Sequence, residues 1–270
     1  MLEVKNISKT FNPETVNEVK ALLDISFELE EGSFVCVLGT NGSGKSTMLN
    51  AVAGTFTVDT GSISLNGTDI TRWPEDKRAR LVGRVFQNPF SGTAPNMSIR
   101  ENLALATRRG LPRGFAWGLP QNLIREFKER VKPLNMGLED RLENPIGKLS
   151  GGQRQVLTLL MATWLQPELL LLDEHTAALD PKTAALVIAL TDKLVQKDKL
   201  TTLMVTHSMQ QAVNLGNRLI MMHRGRIAYD FNEDDKRRLK VNDLLALFDE
   251  LRRKDQIDLS VMELVTNEYV

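Results

Sequence analysis

One cysteine, three histidines and two tyrosines in 270 residues leave little room for several chemistries. A single thiol can close no internal disulfide. Cys36 lies in the apolar run Phe34-Val35-Cys36-Val37-Leu38, which reads as a buried, inert side chain in a reducing compartment. A surplus of either charge is also missing: Lys and Arg total 34, and so do Asp and Glu. Without a surplus of cations there is nothing to neutralise a phosphodiester backbone at large, so nucleic acid is not the expected partner. No window approaches the roughly 18 uninterrupted apolar residues of a membrane span, and Met1 to Lys9 shows no basic-then-apolar leader. The expectation is a cytosolic chain, unless another protein holds it at a membrane. Repeats, low-complexity tracts and heptad runs are absent too, so one catalytic unit is expected.

What is present is an ordinary globular composition, 42% hydrophobic, enough to fill a sizeable core. Short strand-like runs fill the first third: Leu2 to Ile7, Leu22 to Leu29, Phe34 to Leu38 and Ser62 to Leu65, with Glu31-Gly32 and Asn66-Gly67 as turns. They predict a small antiparallel sheet beside a parallel core. From about Pro89 to Gln166 strand signals stop, and helical spacing appears at Ile99 to Ala106, Leu123 to Val131 and Val156 to Leu165. Buried-strand runs return at Leu169 to Leu172, Thr202 to Val205 and Arg218 to Met222, with the helical pattern Thr183 to Leu194 between them. Alternation of this kind predicts a mostly parallel sheet with helices on its faces. The Gly/Pro-rich stretch 108–120 reads as an exposed connector. Asn232 to Arg238 reads as a charge-rich link, and Leu244, Phe248 and Leu251 predict a short helical tail packed on its own domain.

Two glycine loops carry the chemistry. Gly39-Thr40-Asn41-Gly42-Ser43-Gly44-Lys45-Ser46-Thr47 matches G-x-x-x-x-G-K-[ST] and lies between a strand and the helical run Met48 to Ala53, as phosphate binding requires. Its glycines let backbone N–H groups converge on a β-phosphate, Lys45 reaches the terminal phosphates, and the Ser46 hydroxyl is a Mg²⁺ ligand. Leu169-Leu170-Leu171-Leu172-Asp173-Glu174 ends a buried strand in two carboxylates, at the edge where parallel sheets bind ligands. Asp173 is the natural Mg²⁺ partner, directly or through an intervening ligand, and Glu174 can orient or deprotonate the attacking water. His207 follows the strand Leu203 to Thr206 at the same edge, and Gln87 closes the strand Leu81 to Phe86, where it can bind Mg²⁺ or water. His175 and His223 lack such a setting and read as structural or surface residues.

The second loop, Ser150-Gly151-Gly152 before Gln153-Arg154-Gln155, opens the helix Val156 to Leu165 and offers free N–H groups to another anion. It belongs to the helical segment, so it does not serve the same phosphate within one chain. A symmetric head-to-tail dimer would let each such loop cap the other chain's nucleotide.

Together GTNGSGKST, LSGGQRQ, LLLLDE and MVTH make the chain resemble the ATP-binding subunit of an ABC transporter over about residues 1–230. The resemblance implies an α/β phosphate-loop NTPase cassette with a parallel core, an antiparallel β subdomain and a helical subdomain at about 90–166, and leaves 231–270 as the tail. It implies ATP and Mg²⁺ as cofactors, with two copies closing on two nucleotides. Ser150, Gly151, Gly152 and Gln153 would face the partner's γ-phosphate, Glu174 would be the catalytic base and His207 the γ-phosphate sensor. It also implies that Phe11 stacks on adenine, that Gln87 lies in a loop coupled to the membrane partner, and that Ala178-Leu179-Asp180 crosses the dimer. Further implied are permease subunits facing Pro89 to Arg100, an extracellular substrate-binding protein reached through them, and a place at the cytoplasmic face of the membrane. Phe11 stands where tyrosine is more usual, and His175 where proline commonly follows the glutamate. SGTAPNMSIRENLALATRRG, DEHTAALDPKTAA and TTLMVTHSMQQA resemble a bacterial importer subgroup assigned to amino acids, sometimes tryptophan or tyrosine. A soluble ABC ATPase acting on nucleic acid or the ribosome is the alternative, but the tandem cassettes, coiled-coil insertions or cysteine-rich sites usual there are missing.

Overall fold

A computed structural model describes the backbone of residues 1–111 and 119–268, with side chains to residue 254. The N-terminal part runs β1 (Leu2–Phe11), β2 (Val19–Leu29), β3 (Phe34–Gly39), α1 (Lys45–Ala53), β4 (Thr60–Leu65), β5 (Thr68–Asp69), α2 (Glu75–Arg78) and β6 (Val82–Val85). Three helices follow, α3 (Ile99–Thr107), α4 (Gln121–Val131) and α5 (Gly151–Thr163). The remainder is β7 (Leu169–Asp173), α6 (Pro181–Asp198), β8 (Thr202–Val205), α7 (Met209–Asn214), β9 (Arg218–His223), β10 (Arg226–Phe231), α8 (Glu233–Arg238) and α9 (Val241–Glu268).

These strands form two sheets. The first, ordered β2-β1-β4-β5, is antiparallel; the second, ordered β10-β9-β3-β8-β7-β6, is parallel from β9 to β6, with β10 antiparallel on its edge. Alternation of side chains along each strand divides the core. Val35, Val37, Leu169 and Leu171 face the antiparallel sheet and α1, whereas Phe34, Cys36, Leu38, Leu170 and Leu172 face α6, α7 and α9. Both faces are covered, which is why these strands read as unbroken apolar runs. A third cluster, holding Ile99, Leu103, Phe127, Val131 and Leu157, makes the helical part a core of its own. Helix α5 joins it to the body, since Leu159 and Ala162 pack under the parallel sheet while Val156 and Leu160 face the helices.

Three features depart from the expectations. Strand β10 was not anticipated. The charge-rich link is mostly α8, which lacks apolar periodicity but sets Glu233, Asp234 and Asp235 in its first turn and Lys236, Arg237 and Arg238 in its last, as the helix dipole favours. The tail is a 28-residue helix rather than a short one, although Leu244, Phe248 and Leu251 are buried on the body as their spacing requires. Most of the expected connector at 108–120 lies outside the described residues.

Candidate active site

Strand β3 is buried throughout and delivers the chain to Gly39 at the carboxyl edge of the parallel sheet. The loop then turns into α1 through Gly44, whose φ of 97° suits glycine, and a Cβ there would lie 2.5 Å from the Ala21 carbonyl oxygen. No side chain caps α1, while α3, α5 and α6 are capped by Ser98, Ser150 and Asp180. The first-turn N–H groups of α1, among them those of Lys45, Ser46 and Thr47, are thereby left to an anion. Ser43 Oγ is buried without a hydrogen-bond partner, and Asn41 and Gly42 are exposed at the loop tip beside Thr40. The Lys45 ammonium donates to the carbonyls of Gly39 and Thr40, each at 2.9 Å. Burial draws its pKa below the ordinary lysine value, against the pull of Glu174 and Asp173.

The registers of β6, β7 and β8 set the acidic end beside this cradle. Val85 pairs with Leu172 and Asp173 with Val205, so Gln87, Glu174 and His207 leave neighbouring strands at one edge. The Ser46 hydroxyl donates to Asp173 Oδ1 at 3.4 Å. Burial pushes the Asp173 carboxyl above its usual range, and Arg84, Ser46 and Lys45 oppose that rise. Glu174 turns out of the strand with a left-handed φ of 44°, a conformation costing about 1–2 kcal/mol in a residue with a Cβ. Its N–H still bonds the Val205 carbonyl at 3.0 Å. That turn holds the carboxylate between two partners: Oε1 is 2.5 Å from His207 Nε2, and Oε2 accepts from Gln87 Nε2 at 3.2 Å. Gln87 is therefore seated on Glu174 instead of on Ser46.

His175 points the other way. It is buried, and its Nε2 lies 3.1 Å from Thr191 Oγ1 on α6. That hydroxyl donates to the Val187 carbonyl, so the ring is the donor and carries its proton on Nε2. Burial lowers the pKa to about 4, which leaves the ring neutral near pH 7. In place of a proline the chain has a hydrogen-bonded strut from the acidic strand to α6.

Ser150, Gly151 and Gly152 form a separate surface. Ser150 caps α5, accepting from the Gln153 N–H at 3.2 Å while Gln153 Oε1 accepts from the Ser150 N–H at 3.3 Å. A Cβ on Gly152 would lie 2.0 Å from Thr183 Cγ2, and one on Gly151 3.5 Å from Leu179 Cδ2. Glycine at 152 thus lets α5 seat against the start of α6, whereas a Cβ at 151 would make only ordinary contact. Asp180 caps α6 by accepting from the Thr183 N–H at 3.1 Å, and the Thr183 side chain first and its backbone second hold the exposed carboxyl below the usual range. The structure brings the 150–152 and 179–183 loops together, and their hydrogen bonds run within their own caps rather than to the Lys45 cluster. Phe11, at the end of β1, packs edge to face on Phe56 with centroids 5.3 Å apart.

Sequence reasoning passed over Phe56 and Arg84. Arg84 sits on β6 with Nη2 3.8 Å from Asp173 Oδ2, and its signal was a charge inside an otherwise apolar strand, which burial permits only when it is paired.

Such a site is built to hold a nucleoside triphosphate by its phosphates and to keep a carboxylate ready for water, which makes the chain a phosphate-loop ATPase. It belongs to the ABC transporter family, whose model matches residues 22–177. A tyrosine transport ATP-binding protein of Clostridioides difficile (strain R20291) is 42% identical over 250 residues, covering 92% of this chain and 99% of that one. An energy-coupling factor transporter ATP-binding protein of Enterococcus faecalis (strain ATCC 700802 / V583) is 31% identical over 231 residues, 84% of this chain and 77% of the relative. Among solved structures, a dimeric ATP-binding cassette in a post-hydrolysis state bound to ADP and Pi superposes with a TM-score of 0.72 at 28% identity, covering 86% of this chain and 99% of that one. The chain is an ATP-binding, ATP-hydrolysing transporter subunit, and no helix among its described residues is long and apolar enough to cross a membrane.

Proposed function

We propose that two copies of this chain close head to tail on two ATP molecules and drive an amino-acid importer, with an aromatic amino acid such as tyrosine as the cargo class. The carrying observation is the 42% identity that spans 99% of the tyrosine transport subunit. The separation of the Ser150 surface from the Lys45 cluster supports the dimer. In the cap of α5 the Ser150 hydroxyl accepts from Gln153, so its own hydrogen remains free to donate to a phosphate of the opposite chain. Asp180, beside it on the same exposed surface, crosses with it, and Phe11 with Phe56 offers an aromatic face to the base.

In hydrolysis Glu174 accepts the proton of the attacking water, and His207 and Gln87 fix its carboxylate. Ser46 and Asp173, hard oxygen donors 3.4 Å apart, fit Mg²⁺ bound jointly with nucleotide phosphates. Bound there, Mg²⁺ would neutralise charge developing on the transferred phosphoryl group.

Permease subunits would hold the dimer at the cytoplasmic face, and an extracellular binding protein would deliver cargo to them. A cleft of about 280 Å³ between the body and the helical part, lined by Phe86, Leu105, Arg109 and Met161 among others, supports a permease helix as its occupant. Leu105 on its wall and Phe90 in the adjoining loop are both more than half exposed. A photo-crosslinker at Phe90 is expected to join the chain to an integral-membrane protein in native membranes. Adducts confined to soluble proteins would contradict this reading.

A further inference from the structure

Arg84 borders two places at once. It lines the cleft with Glu75, Phe86 and Leu105, and it reaches Asp173 in the nucleotide site. Its guanidinium is divided between two carboxylates: Nη1 is 3.7 Å from Glu75 Oε1, and Nη2 is 3.8 Å from Asp173 Oδ2. Glu75 is half exposed, whereas the side chains of Arg84 and Asp173 are only 12% and 13% exposed. Nη1 also donates to Thr55 Oγ1 at 3.1 Å and Nη2 to Asn50 Oδ1 on α1, while Nε is buried without a partner. The cation stacks on Phe86, 4.5 Å from the ring centroid, and Phe86 directly precedes Gln87.

A guanidinium only 12% exposed gains little from solvent when it loses a partner; with Thr55 and Asn50 holding its two Nη atoms as a pivot, its charge leans toward whichever carboxylate remains. Neither ion pair is at close hydrogen-bonding distance, so neither carboxylate has captured it. We propose that Arg84 is the positioning residue that couples the cleft to the nucleotide site. When nucleotide binding engages Asp173, the guanidinium shifts toward Glu75 and carries Phe86 and the Gln87 loop with it. When an occupant of the cleft engages Glu75, the same cation turns toward Asp173. The identity of that occupant as a permease helix rests on the function proposed above; the coupling within the chain does not.

The test therefore uses the chain alone. Leu105, exposed on the cleft wall, is replaced by cysteine and labelled with an environment-sensitive fluorophore in a Glu174→Gln background. The native Cys36 is buried, and burial pushes its thiol up to about 11, so it is spared by the label. Mg-ATP is expected to change the fluorescence. With every variant held at saturating Mg-ATP, Arg84→Met, which keeps an apolar stem against Phe86, is expected to abolish at least four-fifths of that change, and Arg84→Lys, which keeps the cation, is expected to retain most of it. An undiminished signal in Arg84→Met would overturn the proposal. So would equal loss in the Lys and Met variants, since that outcome describes plain packing. Failure of the Phe90 crosslink would instead count against the permease reading and leave this result standing.

Discussion

Lys45→Ala lowers the affinity for ATP by roughly ten- to hundred-fold, the equivalent of about 1.5–3 kcal/mol for a hydrogen bond to a charged group. Ser150→Ala leaves ATP binding to the single chain within about twofold, because that hydroxyl contributes one bond and belongs to the other half-site. Its effect falls on turnover. The physical basis is the contrast in their surroundings. Lys45 is buried at the base of the uncapped helix and now spends its hydrogen bonds on loop carbonyls, which a phosphate replaces with a charged acceptor. Ser150 is exposed and engaged only in its own cap. Equilibrium binding of ATP together with steady-state hydrolysis separates the two roles, and equal losses of affinity in both variants would contradict the division.

Glu174→Gln lowers kcat by roughly 10²–10⁴, the span expected when a general base is lost, while ATP still binds. Glutamine matches glutamate in shape, so the left-handed backbone and the place between His207 and Gln87 are kept, and only the proton acceptor is removed. Hydrolysis is the step that would reopen the dimer, so this variant accumulates as an ATP-bound dimer under conditions in which the wild type cycles back to single chains. Sedimentation with and without Mg-ATP reads the outcome directly. A variant that hydrolyses within tenfold of the wild type would remove Glu174 from the role of base.

The parts of the site that were legible in the sequence are those written in short, contiguous patterns. The phosphate loop shows its glycines, lysine and serine in one run, and the buried strand Leu169 to Asp173 announces itself by an unbroken apolar stretch ending in acids. The two-sheet fold was legible for the same reason, since period-two alternation and full burial leave direct traces. What was hidden depends on register and distance. That Gln87 bonds Glu174, not Ser46, follows from β6 lying next to β7, and no local pattern encodes it. Arg84 drew no reading, because only the same pairing sets it beside Asp173. His175 read as a structural or surface residue and is structural, but its partner could not be named because Thr191 is 16 positions away on α6. Helix α8 was masked because its stability derives from an Asn232 cap and charge order instead of an apolar stripe, and strand β10 because its side chains are only partly buried.

In the proposed dimer the active site is shared, with Lys45 of one chain working opposite Ser150 of another. Its most direct test is the rate of ATP hydrolysis per chain as purified protein is diluted at saturating Mg-ATP. The rate per chain is expected to fall as dimers dissociate and to recover when a Lys45→Ala chain, weak in ATP binding but carrying an intact Ser150 surface, is added back. A rate per chain that stays constant down to concentrations at which sedimentation shows only single chains would contradict it.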